Sequence, residues 1–77
     1  MKYYLYILTS LKDTWHYTGH ASDVPKRVQA HNSGKVKSTK SWRPFKLIYT
    51  EEFNTRSDAF RREMFLKSPR GAEEKDY

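Results

Sequence analysis

Seventy-seven residues without a cysteine, carrying fifteen Lys and Arg against nine Asp and Glu for a net charge of +6, set the outer limits. A chain this short makes one domain and buries only about 60% of its unfolded surface. Disulfides and thiolate metal sites are excluded, and no apolar run approaches the ~20 residues of a membrane span. The positive excess favours a polyanionic partner, because phosphates neutralised by Lys and Arg release counterions. Met1-Lys2-Tyr3-Tyr4 leads straight into a strand pattern without a signal peptide, so the expected location is the cytoplasm.

Residues 3–9 are aromatic and aliphatic, free of Gly and Pro, and read as a buried strand. Polar residues at 10–14 make a turn, and the aromatic-rich segment 15–19 completes a hairpin. Ser22 and Asp23 are N-cap residues, and Pro25 is tolerated in a first helical turn. This helix is expected to run to about Asn32, with Gly34 just past its end. Residues 35–46 are polar and basic, with Lys35, Lys37, Lys40, Arg43 and Lys46 and no acid. Residues 46–53 return to strand character at Leu47-Ile48-Tyr49. Thr55 caps a second helix, Asp58 three residues later gives a capping-box-like start, and Pro69 and Gly71 stop the helix after about Lys67. The expected fold is α/β, a small sandwich in the order β-β-α-β-α, whose central three-stranded antiparallel sheet is flanked by helices. Residues 1–68 form the domain and 69–77 a frayed tail.

On the second helix Ala59, Glu63 and Leu66 share one face, beside a stripe of Phe60, Met64 and Lys67. A lone buried carboxylate is costly, so Glu63 needs a cation or several hydrogen bonds. Taken alone it reads as an ion-pair partner of Arg62 or Arg27. On the first helix Val24 and Val28 mark the packed side, with Arg27 and His31 one turn apart on an adjacent face. An arginine there can clamp a phosphate. The plainer alternative is a solvent-facing arginine and a histidine capping the helix end. Tyr6 and Tyr17, taken singly, read as core aromatics. A tyrosine acting as a base needs its ordinary pKa, ~10, lowered by a metal or cations. Ser38, Thr39, Ser41 and Trp42 interleave with the loop cations, which suits phosphate contacts, and Trp42 either stacks on a base or supports the loop.

These positions together resemble the GIY-YIG nuclease domain over about residues 3–68. Tyr4-Leu5-Tyr6 stands for its first element and Tyr17-Thr18-Gly19 for its second. Asp23-Val24-Pro25-Lys26-Arg27-Val28-Gln29-Ala30-His31-Asn32-Ser33-Gly34 is similar to the first-helix signature of small single-domain members. So are Lys37-Ser38-Thr39-Lys40-Ser41-Trp42-Arg43-Pro44-Phe45-Lys46-Leu47, and Ala59-Phe60-Arg61-Arg62-Glu63 with Leu66-Lys67-Ser68. The resemblance implies a metal-dependent DNA endonuclease acting through one Mg²⁺ or Mn²⁺ held by Glu63. Arg27 would hold the scissile phosphate, Tyr6 would position or deprotonate the attacking water, and Tyr17 would share that work. His31 would support the site by hydrogen bonding, and Gly19 would leave it room. Lys26, Lys37, Lys40, Trp42 and Arg43 would contact duplex or branched DNA, with a monomer as the simplest state. Tyr4 replaces the family's first glycine and Thr18 its second-element isoleucine, and neither removes a catalytic group. The asparagine that larger members carry after the glutamate has no counterpart in 68–77. Two alternatives keep the fold without the chemistry: a non-catalytic nucleic-acid-binding module, and a protein-interaction domain of a repair assembly.

Overall fold

A computed structural model describes residues 1–68; the expected frayed tail, 69–77, lies outside the described residues. The elements follow as β1 (Tyr3–Ser10), β2 (His16–Ala21), α1 (Val24–Asn32), a 3₁₀ turn (Lys40–Trp42), β3 (Phe45–Phe53) and α2 (Arg56–Lys67). The three strands form one antiparallel sheet in the order β2-β1-β3.

The central strand β1 is buried on both faces, with Leu5, Tyr6, Ile7 and Leu8 at most 1% exposed. Alternation divides it. Tyr6 and Leu8 pack with Val24 and Phe45, and Val28 lies against that cluster, so this face belongs to α1. Leu5 and Ile7 pack with Leu66, so the opposite face belongs to α2. The two helices therefore sandwich the sheet. Burying each of these aliphatic side chains contributes about 1.5–3 kcal/mol, and β1 stands where both layers draw on it.

The helix starts follow the sequence signals. The Asp23 side chain accepts from the Lys26 backbone N–H, and the Thr55 side chain accepts from that of Asp58. Gly34 lies at φ +83° just past α1, a left-handed value that a Cβ penalises. The Arg43 guanidinium also fills the space a side chain at Gly34 would need. β2 continues two residues past Gly19, pairing Leu5 with His20 and Tyr4 with Ala21. The second strand thus runs to Ala21, two residues beyond the expected segment 15–19. β3 is an edge strand, and its register shifts opposite Ile7 and Leu8, which pair with Tyr49 and Leu47. Leu47, Ile48 and Tyr49 are 39%, 36% and 40% exposed, so this apolar run is an outer edge rather than core.

Candidate active site

β1 and β2 set the geometry. Tyr6 pairs with Gly19, and Tyr17 pairs with Leu8, so all four face α1. His20 is the next residue along and faces α2. Two sets of polar groups therefore grow from opposite faces of the sheet beside the same edge strand.

On the α1 face, Tyr6 is 1% exposed and its hydroxyl lies 3.0 Å from Nε2 of His31. His31 is fully buried, and its Nδ1 lies 2.8 Å from Thr39 Oγ1. The direction of the chain follows from the last donor. Thr39 Oγ1 gives its single proton to the Val36 carbonyl at 3.3 Å, so it accepts from His31 Nδ1–H. His31 Nε2 is then bare and accepts from the Tyr6 O–H. Burial and the nearby Arg27 charge hold the imidazole below the usual histidine range, which favours the neutral ring that this pattern of hydrogen bonds needs. His31 is thus a buried link, not the exposed helix-end cap that its place near the C-terminus of α1 also allowed.

Burial, with the neighbouring Tyr17, pushes the Tyr6 phenol up to about 12 against the opposing pull of Arg27; Glu63 raises it further. The free protein therefore holds no ready-made phenolate at Tyr6. Tyr17 is half-buried, its ring centroid 6.2 Å from that of Tyr6 and 4.8 Å from that of His31. A Cβ on Gly19 would stand 2.8 Å from the Tyr6 hydroxyl oxygen and 3.0 Å from the Tyr17 ring, so only glycine leaves that hydroxyl its place. Arg27 is exposed on α1, yet its charge acts on both Tyr6 and His31. Beside it opens a cleft of about 310 Å³ whose charged lining is Lys26, Arg27 and Arg56 against a single acid, Asp23.

On the α2 face Glu63 sits in the predicted buried stripe, 8% exposed between Ala59 and Leu66. Its partners are not Arg62 or Arg27, the two that sequence spacing offered. His20 Nδ1 lies 2.6 Å from Oε1, and Lys67 Nζ lies 2.8 Å from Oε2. Arg62 instead places Nε 2.7 Å from Glu51, whose second oxygen accepts from the Tyr49 hydroxyl at 2.7 Å. Burial pushes the Glu63 carboxyl up, but the hydrogen bonds and charges of His20 and Lys67 outweigh it and leave the pKa below the usual carboxylate range. Glu63 is therefore ionised at neutral pH.

The two faces meet round the β2 edge. Lys67 Nζ lies 5.7 Å from the centroid of the Tyr17 ring, which belongs to the other face. Trp15, His16, Tyr17, Thr18, Ser38 and Lys67 line a cleft of about 280 Å³ there. Glu63 itself acts on the Tyr6 phenol. Tyr6, Tyr17 and His31 thus stand together on the α1 face, Arg27 acts on two of them through its charge, and Glu63 stands on the α2 face with His20 and Lys67.

The basic loop is anchored from within. Thr39 is fully buried beneath His31, and Trp42 stacks on Trp15 with centroids 5.1 Å apart and planes at 22°. Asn32 exchanges two hydrogen bonds with the Phe45 backbone at 2.6 and 3.2 Å. Lys26, Lys37, Lys40 and Arg43 remain exposed. Trp42, expected at a nucleic-acid interface, has one ring face committed to packing and supports the loop.

His20 and Lys67 were not among the predicted site residues, and Thr39, read as a loop hydroxyl suited to phosphate contacts, is fully buried and bonds His31 instead. Strand alternation from Gly19 places His20 on the other face, and Lys67 lies four residues after Glu63, a spacing at which helix side chains meet. Thr39 has no local signal.

Similar proteins are known. A family model described as the GIY-YIG catalytic domain matches residues 2–76. The chain is 46% identical over 68 residues to the UPF0213 protein SSP2268 of Staphylococcus saprophyticus, covering 87% of this chain and 82% of that one. The UPF0213 protein YazA of Bacillus subtilis is 38% identical, over 84% of this chain and 66% of its own length. The solution NMR structure of the UPF0213 protein BH0048 of Bacillus halodurans is similar at TM-score 0.56 and 40% identity, covering 96% of this chain and 81% of that one.

Proposed function

The chain belongs to the GIY-YIG family, and on that premise we propose that it is a metal-dependent endonuclease that hydrolyses phosphodiester bonds in DNA. One observation carries the reading. Tyr6, Tyr17 and His31 cluster on the α1 face, the Glu63 carboxylate stands on the α2 face, and its partner Lys67 reaches the Tyr17 ring round the β2 edge.

The donor chemistry fits a hard divalent cation. Glu63 offers ionised carboxylate oxygens, and among the described residues no set of three His, Cys, Asp or Glu side chains could cage an ion. Mg²⁺ and Mn²⁺ suit such a site, since Mg²⁺ keeps several waters and binds through one or two carboxylates plus phosphate oxygens. Glu63 would hold one ion, which would supply a more acidic bound water and charge neutralisation at the phosphate.

The chain's own residues do the rest. Arg27, exposed on α1 and lining the cleft beside Lys26 and Arg56, clamps the scissile phosphate and stabilises charge that develops on it. Tyr17, half-buried, faces the attacking water. Tyr6, its O–H held by His31 Nε2, positions the attacking water with its phenol oxygen, so a phenol with a pKa of about 12 need not ionise. Thr39 holds the acceptor nitrogen toward Tyr6. Lys26, Lys37, Lys40 and Arg43 bind flanking phosphates.

The test is cleavage of plasmid, single-stranded and branched DNA with Mg²⁺ or Mn²⁺, run beside Glu63→Gln. Cleavage that vanishes in the variant and with chelator is the expected result. Salt-dependent binding without cleavage under any metal replaces this reading with a non-catalytic nucleic-acid-binding module.

A further inference from the structure

Both oxygens of the Glu63 carboxylate already have cationic or hydrogen-bonding partners, and the two partners differ. The His20 side chain is 22% exposed, and its ring is wedged edge-on against Phe60, centroids 5.7 Å apart at 71°. The Lys67 side chain is 43% exposed on a flexible stem, and its ammonium also faces the ring of Tyr17. A cation arriving at Glu63 therefore finds Oε1 firmly held and Oε2 covered by a group that can leave. The cleft lined by Tyr17, Thr18 and Ser38 adjoins Lys67 and offers the ammonium somewhere to go.

We infer that Lys67 is an exchangeable place-holder: its ammonium occupies the position of the divalent cation at Glu63 Oε2 in the free protein and turns toward substrate phosphate when the cation binds. The inference rests on the endonuclease reading. It assigns His20 and Lys67 separate parts. His20 orients the carboxylate in both states, whereas Lys67 competes with the cation in one and serves the substrate in the other.

The energetics favour an exchange over a permanent pair. An ammonium–carboxylate contact four residues apart on a helix, with the lysine side chain 43% exposed, is weak, whereas a divalent ion brings twice the charge to the same oxygen. Evicting Lys67 still weakens metal binding to the free protein. A DNA phosphate offsets that loss, because it gives the displaced ammonium a new anion. Metal and DNA must therefore bind cooperatively, each raising the affinity of the other by the same factor. Little metal is held, and little hydrolysis is possible, until a substrate is present.

The experiment is Mn²⁺ binding without DNA at neutral pH, read by electron paramagnetic resonance of the free ion. It compares wild type, Lys67→Met, Lys67→Arg and Glu63→Gln, each checked for fold by circular dichroism. Lys67→Met is expected to bind Mn²⁺ about fivefold more tightly than wild type. Lys67→Arg, which keeps a cation in place, gains nothing, and Glu63→Gln loses binding. Equal or weaker affinity in Lys67→Met overturns the place-holder and leaves the endonuclease reading standing. No Mn²⁺ binding by Lys67→Met also overturns the place-holder, and the endonuclease reading then stands or falls on the cleavage assay alone.

Discussion

The two faces of the sheet treat their polar groups in opposite ways. On the α1 face Tyr6, His31 and Thr39 are at most 1% exposed and form an uncharged, directed chain of hydrogen bonds. On the α2 face Glu63 is ionised, and its partners His20 and Lys67 keep their side chains 22% and 43% exposed. The difference follows from desolvation. A neutral donor and acceptor can be buried when each finds the other, while a charge needs either water or a counter-charge. On the proposed reading, the buried chain would position the attacking water and the more reachable carboxylate would hold the metal, with Lys67 beside the Tyr17 ring joining the two faces at the β2 edge.

If that contrast holds, changes on the α2 face reduce chemistry while changes in the α1 chain reduce the fold as well. The largest expected effect is Glu63→Gln, an isosteric change that lowers cleavage by about a thousandfold or more, on the scale of removing a whole catalytic group. Its thermal midpoint should move little, since His20 and Lys67 stay near water. A collapse of the fold would make Glu63 a structural ion-pair partner and end the contrast.

Arg27→Ala sharpens the comparison, because Arg27 belongs to α1 but is exposed. Cleavage should fall about 10²–10³-fold, as when one preorganised donor is removed. The urea midpoint should match wild type, and a large drop would show the guanidinium holding the α1 chain together.

His31→Ala should cost about 2–4 kcal/mol, from the cavity and from the stranded hydroxyl of Tyr6. For a domain this size the midpoint then falls by about 4–8 °C for each kcal/mol. Unchanged stability would mean that water replaces the imidazole and that the hydrogen-bonded chain is not structural.

Acid unfolding separates the two faces by pH. Both groups have folded pKa values below their ordinary ones, so each contributes stability present above its unfolded value and lost as pH falls through its folded value. For His31 the loss starts below the ordinary 6.5. For Glu63 it starts below the ordinary 4.5. In metal-free buffer His31→Gln should flatten the first step of the stability curve and Glu63→Gln the second. Identical profiles would remove the electrostatic distinction.

The smallest effect is expected outside both faces. Lys40→Glu with Arg43→Glu should weaken DNA binding and reduce its salt slope by about 0.9 for each phosphate that is no longer neutralised. An unchanged slope would take the loop out of the interface.

Local chemistry wrote much of this architecture into the chain. Asp23 and Thr55 cap the helices they were expected to cap, because a cap bonds a backbone N–H only three residues away. Ala59, Glu63 and Leu66 form the buried stripe that helical period dictates. Alternation through β1 feeds two cores, and Gly34 ends α1 where left-handed backbone is required. Tertiary approach decided the rest. Glu63 meets His20 across 43 residues, and Tyr6 meets His31 across 25. Trp42 lies on Trp15, and Thr39 lies under His31 from a loop without periodicity. A carboxylate on a buried stripe announces that it needs a partner, but which one depends on where the sheet edge passes. Periodicity and caps are set by neighbours within a few residues, so sequence determined them. The partners of the buried polar groups, and hence a site built around the β2 edge, came only with the packing of both helices on the sheet.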